Sequence, residues 1–166
     1  MAAITWLFLA WTFEKKPKFV GLLTGAVAGL VGITPAAGYV SIGAAVVIGI
    51  AASAFCYLAV EFKHKVGFDD ALDVWGVHGV GGYLGCILTG VFAAKVWNPA
   101  GADGLIRGGY HFFAMQFVSV TITAVYSFIF TIGALWLINK VTVVKVSQEE
   151  EEEGLDVSIH GEEAYL

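Results

Sequence analysis

The chain has 166 residues, of which 58% are hydrophobic and only 14% are charged. Because soluble domains carry about 25% charged residues, this composition excludes an ordinary soluble fold and predicts an integral membrane protein. The formal net charge is −5, but the excess of carboxylates lies in the last 20 residues, so the apolar part of the chain is mildly basic.

Five apolar segments predict an all-α fold, a polytopic bundle of transmembrane helices. We expect about four full spans and a partial first one, because the first segment is shorter than the ~20 residues that a spanning helix needs. That segment is expected to be the end of a longer span. The prediction places a transmembrane helical domain at residues 1–140 and a cytoplasmic tail at residues 141–166. The five segments are residues 2–13, 19–33, 39–60, 70–94 and 110–139.

Lysine and arginine are distributed unevenly between the connectors, which predicts the orientation in a plasma or inner membrane. Lys95 and Arg107 lie in the fourth connector. The others lie in the first connector, in the third (residues 61–68) and after the last span, at Lys15, Lys16, Lys18, Lys63, Lys65, Lys140 and Lys145. The positive-inside rule therefore places the first and third connectors and the tail in the cytoplasm. His64 is expected to be a solvated residue of the third connector.

The second segment combines small residues with hydroxyls. Gly21, Gly25 and Gly29 are spaced by four residues, a pattern that lets membrane helices approach closely. The hydroxyls of Thr24 and Thr34 are expected to bond helix carbonyls. This segment therefore predicts tight helix packing.

The fourth segment places ionisable residues in a stretch that is otherwise apolar enough to span a bilayer. Ionisable groups inside a membrane are costly, so they indicate function. At helical spacing, one face is predicted to carry Asp70, Asp73, Val74, Val77, His78, Gly81 and Gly85. We therefore expect acid at the entrance of this helix, an imidazole deeper along it, and glycines where another helix approaches.

These polar residues have structural as well as functional interpretations. His78 is either a packed histidine or an imidazole that lines a pore, where it would relay a proton or bond a small polar solute. Asp73, on the same helix, favours the functional interpretation, because a buried carboxylate needs backbone N–H groups, a cation or a proton. Asp69 and Asp70 lie where the helix starts, which favours capping, so Asp70 is expected to be a structural acid.

Other features carry less chemistry. Cys56 and Cys86 lie in apolar segments and are expected to be small buried hydrophobes. Motifs typical of enzymes, metal sites and phosphate loops are absent from the sequence, so we expect neither an enzyme nor a cofactor. The glutamates at residues 149–153 are typical of a solvated, disordered tail, whereas the apolar residues that follow suggest a segment that docks on this protein or on a partner.

Three separated motifs resemble signatures of the Amt/Mep/Rh family of ammonium transporters. They are AGLVGITPAAGYV at residues 28–40, FDDALDVWGVHGVGGYLGCILTGVFA at residues 68–93 and EEGLDVSIHGEEAY at residues 152–165. They occur in the family's order, and the resemblance covers nearly the whole chain. The chain is similar to the family's C-terminal half, which the resemblance implies to be one half of an inverted-repeat channel fold.

The resemblance implies nitrogen uptake by homotrimers in which each subunit has a hydrophobic channel with two stacked histidines. His78 matches the second histidine, Asp73 the acid before it, and Val74 an apolar pore residue. Thr24 and Thr34 match hydroxyl positions on the opposite helix. The tail residues Gly154, Leu155 and Asp156 match a regulatory segment that works with PII-type signal proteins in bacterial members of the family.

Three hypotheses follow from the resemblance. The first is transport of ammonium or ammonia through a histidine-containing pore, of which this chain supplies the C-terminal portion. The second is a membrane sensor of ammonium. The third is a truncated fragment without function, because the family's first half, with the other pore histidine and the outer aromatic site, has no counterpart in these residues.

Overall fold

The computed structural model describes residues 1–163, and this part of the chain is helical with no strand. The predicted all-α fold is thereby confirmed. The last residues of the motif at 152–165 lie outside the described residues. The α-helices are α1 (Ala2–Glu14), α2 (Phe19–Ile33), α3 (Ile42–Val66), α4 (Val80–Phe92), α5 (Tyr110–Ile138) and α6 (Gln148–Glu153). Short 3₁₀ turns at Thr34–Ala36 and Leu105–Arg107, and π-helical segments at Trp75–Gly79 and Asp156–His160, complete the secondary structure.

Among the described residues, three helices are long and apolar enough to cross a membrane. They are Phe19–Ala36, which includes the first 3₁₀ turn, Ile42–Val66 and Tyr110–Ile138. Helix α1 has 13 residues and is shorter than a span. The predicted fourth span is two consecutive elements, the π-helical segment Trp75–Gly79 and α4. The chain is therefore a multi-pass membrane protein.

Helices α1, α2 and α3 pack closely because small residues lie where they meet. A Cβ atom added to Gly25 would overlap the Cβ of Trp6, and one added to Gly29 would overlap the Cβ of Ala2. Without a hydrophobic force between helices in lipid, such close approach is what holds a membrane bundle together. One buried hydrophobic cluster of this bundle consists of Trp6, Ala10, Ala28, Cys56, Tyr57, Val60 and Val77.

Helix α3 differs from its predicted bounds at both ends. It begins at Ile42 rather than at Tyr39, because Ser41 caps it by accepting a hydrogen bond from the N–H of Ala44 at 3.1 Å. It continues past Val60 to Val66 and ends at Gly67, whose φ of 76° closes the helix in the left-handed conformation. The prediction that His64 lies in a connector is therefore wrong, since His64 is an exposed residue of the last turn of α3.

The chain divides into two compact units, Met1–Ala124 and Val125–Leu166. In the second unit, the glutamates at residues 149–153 are helical, as part of α6, rather than disordered. Ser147 caps α6 through a reciprocal pair of hydrogen bonds with Glu150, a capping box. This cap compensates for the repulsion between neighbouring carboxylates, a local effect that composition alone does not reveal.

Candidate functional site

Asp70 caps the helix that carries His78. Its two carboxylate oxygens accept the backbone N–H groups of Val74 and Trp75, both at 2.9 Å. The first turn of a helix has N–H groups without helical partners, and a carboxylate there also interacts favourably with the helix dipole. Asp70 therefore lies outside the helix and supplies hydrogen-bond acceptors for the N–H groups of its first turn.

Asp73 lies beside a buried lysine rather than within the helix. Its φ of 56° is left-handed, which is unusual for a residue other than glycine. The Oδ1 of Asp73 pairs with the Nζ of Lys63 at 2.5 Å, and the same Nζ donates to the carbonyl oxygen of Asp70 at 2.7 Å. Lys63 is only 7% exposed. The carboxylate of Asp73 was predicted to need backbone N–H groups, a cation or a proton, and Lys63 is the cation beside it.

The residues predicted to share one helix face lie on two. Val77, Gly81 and Gly85 are buried, whereas Val74 and His78 are exposed. The π-helical segment explains the difference, because a turn closed by the N–H of Val80 on the carbonyl of Trp75 holds about one residue more than an α-turn. One extra residue rotates the helix by roughly 100° relative to α-helical spacing. The single-face prediction is therefore wrong.

The buried face of this helix contacts α2 and α3 through glycines. A Cβ on Gly85 would overlap the carbonyl of Gly32 in α2, and a Cβ on Gly76 would lie 2.8 Å from Cγ2 of Val60 in α3. The Sγ of Cys56 donates to the carbonyl of Val77 at 3.6 Å. These contacts fix the helix against the bundle and leave the other face free.

The free face carries Val74 and His78, one turn apart. Val74 is 50% exposed, and His78 is exposed, with an imidazole that forms no hydrogen bond to residues 1–163. The ring nitrogens of His78 are therefore available for hydrogen bonds to a group that lies against this side of the helix.

Thr24 and Asp73 line a common cavity of about 190 Å³ at the end of the bundle where α1 ends and α2 begins. The cavity is also lined by the ionisable or polar residues Glu14, Lys18, Tyr57, Glu61 and His64. A hydrogen bond from Lys18 to Glu14, together with the charge of that carboxylate, raises the pKa of Lys18. The Nε2 of His64 lies 3.9 Å from Oδ1 of Asp73. Neither Val74 nor His78 lines this cavity.

The two threonines lie apart along α2 and both bond helix carbonyls. The Oγ1 of Thr24 donates to Val20 at 3.0 Å, and that of Thr34 donates to Leu30 at 2.6 Å. Ten residues of helix separate them by about 15 Å. Of the two threonines, only Thr24 shares a cavity with Asp73.

The predicted tail residues lie in the second unit. Gly154 has a φ of 101° and ends α6, Leu155 is partly exposed, and Asp156 begins the π-helical segment Asp156–His160. The carbonyl of Asp156 accepts the N–H of Glu162 at 3.2 Å. The segment therefore has local order of its own.

Lys63 and Cys56 were not predicted to belong to this site. Both lie on one face of α3 with Val60, at the spacing of successive helical turns. The signal available in the sequence is that stripe of Cys56, Val60 and Lys63, because a lysine on a face that is otherwise buried needs an acid opposite it.

A bundle of apolar helices with small residues at its contacts and ionisable groups at the start of one helix defines a polytopic membrane protein. The family model described as Ammonium Transporter Family matches residues 1–165. The chain belongs to this family, which confirms the resemblance. Because the family consists of transporters, the prediction that the chain is not an enzyme is also confirmed.

Relatives and solved structures agree with this assignment. The chain is 47% identical to an ammonium transporter of Aquifex aeolicus, over 99% of this chain and 38% of the relative. It is 44% identical to an ammonium transporter of Bacillus subtilis, over 96% of this chain and 40% of the relative. The crystal structure of Candida albicans Mep2 superposes with a TM-score of 0.83 at 35% identity, over 90% of this chain and 34% of that one.

A structure named Sensor Amt Protein is similar as well. It has a TM-score of 0.83 at 28% identity, over 95% of this chain and 38% of that one. In each of these comparisons the chain spans about 40% or less of the length of the protein it matches.

Proposed function

We propose that this chain forms one side of a pore that conducts ammonium or ammonia, with His78 and Val74 lining it. The observation that carries the proposal is the free face of the His78 helix, where an unpaired imidazole follows an apolar side chain one turn away. Membership of the ammonium transporter family supports the identity of the solute.

The physical reason for such a face is the cost of moving an ion through a dry lumen. A bare ammonium ion loses its hydration there, at a cost of several kcal/mol or more. Ammonia is neutral and pays much less, provided that the proton is given up first and carried separately. An imidazole bonds ammonia as donor or acceptor and passes a proton along, whereas Val74 disfavours the ion. A potassium ion has no proton to release and is therefore rejected.

Growth at low ammonium tests the proposal in cells that lack their own ammonium transporters. The chain is expressed alone and together with the part of the B. subtilis relative that it does not match. We expect rescue only when both parts are present, because this chain offers one side of a pore. Absence of rescue with both parts in the membrane would favour a fragment without transport function.

His78→Ala, in the combination that restores growth, tests the role of the imidazole. We expect ammonium uptake, or its selectivity over potassium, to fall by about tenfold or more, equivalent to about 1.4 kcal/mol. His111→Ala is the control, because His111 is an exposed residue at the start of α5. Unchanged uptake and selectivity in His78→Ala would contradict the proposal.

The finer features of assembly and regulation belong to the same proposal. We infer a homotrimer, a cytoplasmic tail, and a PII-type signal protein that binds near Gly154, Leu155 and Asp156. The ordered segment Asp156–His160 supports a recognition role for the tail, since a short preformed helix loses less entropy on binding than a disordered one. Size measurement in detergent tests the homotrimer, and binding of a purified PII protein tests the partner.

A membrane sensor of ammonium is the second candidate function, favoured by the similarity to the structure named Sensor Amt Protein. A sensor would bind ammonium and change its tail without sustaining uptake. Chemical shifts of residues 147–163, recorded with and without ammonium, would separate the two functions when compared with uptake by the same preparation.

A further inference from the structure

We propose that Lys63 is a positioning residue for His78. Its ammonium group holds the left-handed turn at Asp73, from which the π-helical segment Trp75–Gly79 starts, and thereby sets the direction in which the imidazole faces. The inference rests on the proposed role of His78 in conduction, but the positioning itself is a property of the fold and is measured without transport.

The first step is the burial of Lys63. A charged side chain that is 7% exposed is retained only when its charge and hydrogen bonds are satisfied. Lys63 finds both partners in the same short connector, the carboxylate of Asp73 at 2.5 Å and the carbonyl of Asp70 at 2.7 Å. One side chain of α3 therefore holds the two ends of the turn that leads into the His78 helix.

The second step is the conformation of that turn. Asp73 has a φ of 56°, which an L-residue adopts only at a cost unless its surroundings hold it there. The carbonyl of Asp73 accepts the N–H of Val77 at 2.9 Å, so the strained residue supplies an early hydrogen bond of the helix. If the turn relaxed, the start of the helix would move with it.

The third step connects the turn to the imidazole. Along the same face of α3, Val60 packs against Gly76 and the thiol of Cys56 donates to the carbonyl of Val77. Together with Lys63, these contacts hold residues 73, 76 and 77 at successive turns of α3, and His78 follows directly. The wide π-turn is thus supported on its buried side, and His78 faces away from it.

The other titratable side chains near Asp73 are more solvated. His64 lies 3.9 Å from Oδ1 of Asp73 and 3.9 Å from Oε1 of Glu61, and its side chain is 57% exposed. Glu61 is also partly exposed. Neither residue bonds both ends of the turn, so neither replaces Lys63.

The experiment records the imidazole ¹⁵N resonances of the chain in lipid nanodiscs, with the His78 signals assigned from His78→Gln. In Lys63→Met we expect the His78 signals to shift or broaden. Lys65→Met is the matched control, because Lys65 is an exposed lysine on the same turn of α3, and it should leave them unchanged. Unshifted His78 signals in folded Lys63→Met, or an equal shift in Lys65→Met, would overturn the proposal.

Two double variants separate positioning from simple charge neutralisation. Lys63→Met with Asp73→Gly removes the unpaired carboxylate and introduces a residue that adopts a positive φ freely, so the His78 signals should return toward their original positions. Lys63→Met with Asp73→Ala removes the same charge but disfavours the turn, so the shift should persist. Equal recovery in both would mean that Lys63 only balances charge, and the proposal would fail.

If Lys63→Met loses its helical circular dichroism, the single variants Asp73→Ala and Asp73→Gly are compared instead. Asp73→Ala should then shift the His78 signals more than Asp73→Gly, and equal shifts would overturn the proposal. If the positioning holds but the complementation described above fails, the role of Lys63 stands and the conduction role of His78 does not.

Discussion

Asp70 replaces, with two carboxylate oxygens, the carbonyl groups that the first turn of its helix lacks. Asp70→Ala should therefore lower the free energy of unfolding by about 0.5–2 kcal/mol, as loss of a helix cap does elsewhere. Denaturant titration in detergent micelles measures the change. Asp69→Ala is the control, since Asp69 is exposed and no hydrogen bond joins it to another residue in the described range. Equal effects of the two variants would contradict the capping role.

The glycines of α4 differ sharply in what they tolerate. A Cβ on Gly85 would overlap the backbone carbonyl of Gly32, whereas a Cβ on Gly82 would reach only Cγ1 of Val31, at 3.9 Å. Gly85→Ala should therefore lower the free energy of unfolding by about 1–3 kcal/mol, the usual cost of overpacking. Gly82→Ala should leave it nearly unchanged under the same titration. A harmless Gly85→Ala would mean that α2 and α4 separate easily.

At the scale of the element, the sequence predicted the apolar helices well. It predicted less well where they end and which residues share a helix face. Helix α2 has its predicted bounds, because an apolar run between a proline-containing connector and Thr34-Pro35 leaves little choice. The end of α3 was predicted too early, because the helix continues through the charged residues after Val60, where the apolar segment ends. The π-helical segment was not predicted, because its contacts with Val60 and Cys56 of α3 cannot be inferred from residue type.

The same limit applies to the candidate site. Residue type and spacing identified Asp70 as a helix cap and selected His78 and Val74, which do share a free face. The prediction that Val77, Gly81 and Gly85 share this face was wrong, because it assumed one continuous α-helix. Residue type and spacing also missed Lys63, since a lysine near the end of an apolar segment looks like an ordinary residue of a cytoplasmic connector.

Helix α6 provides a test by pH at this scale. The backbone N–H and the hydroxyl of Ser147 hold the pKa of Glu150 below its ordinary value. Because the pKa is lowered in the folded state, the capping box stabilises α6 at neutral pH, and this contribution disappears as the pH falls through the lowered pKa. Cα chemical shifts of residues 148–153 report the helix through an acid titration.

The other glutamates of α6 also titrate, so the comparison is between variants. Glu150→Gln keeps a hydrogen-bond acceptor without a charge and should lose the acid-dependent step that belongs to the cap. Glu151→Gln should titrate like the original chain, because the capping box does not include Glu151. Identical titrations of the two variants would place the pH dependence outside the cap.

At the scale of the whole molecule, the lysine distribution predicts which connectors share a side of the membrane. A cysteine introduced by Ala100→Cys should react with an impermeant maleimide in intact cells. One introduced by Thr142→Cys should react only after permeabilisation, because the tail is expected in the cytoplasm. The reverse pattern would invert the predicted orientation, and labelling of the chain without either substitution gives the background from Cys56 and Cys86.

The π-helical segment makes the number of residues before α4, as well as their identity, decide how the start of this helix is oriented. Insertions and deletions are ordinarily tolerated in loops and harmful in helices. Removal of one residue from Trp75–Gly79 would allow an ordinary α-turn to form, and everything before it would rotate by roughly 100° relative to α4. Asp73 would then move away from Lys63, although both side chains of this ion pair would still be present. The length of this segment is therefore constrained, as side-chain volume is constrained in a packed core.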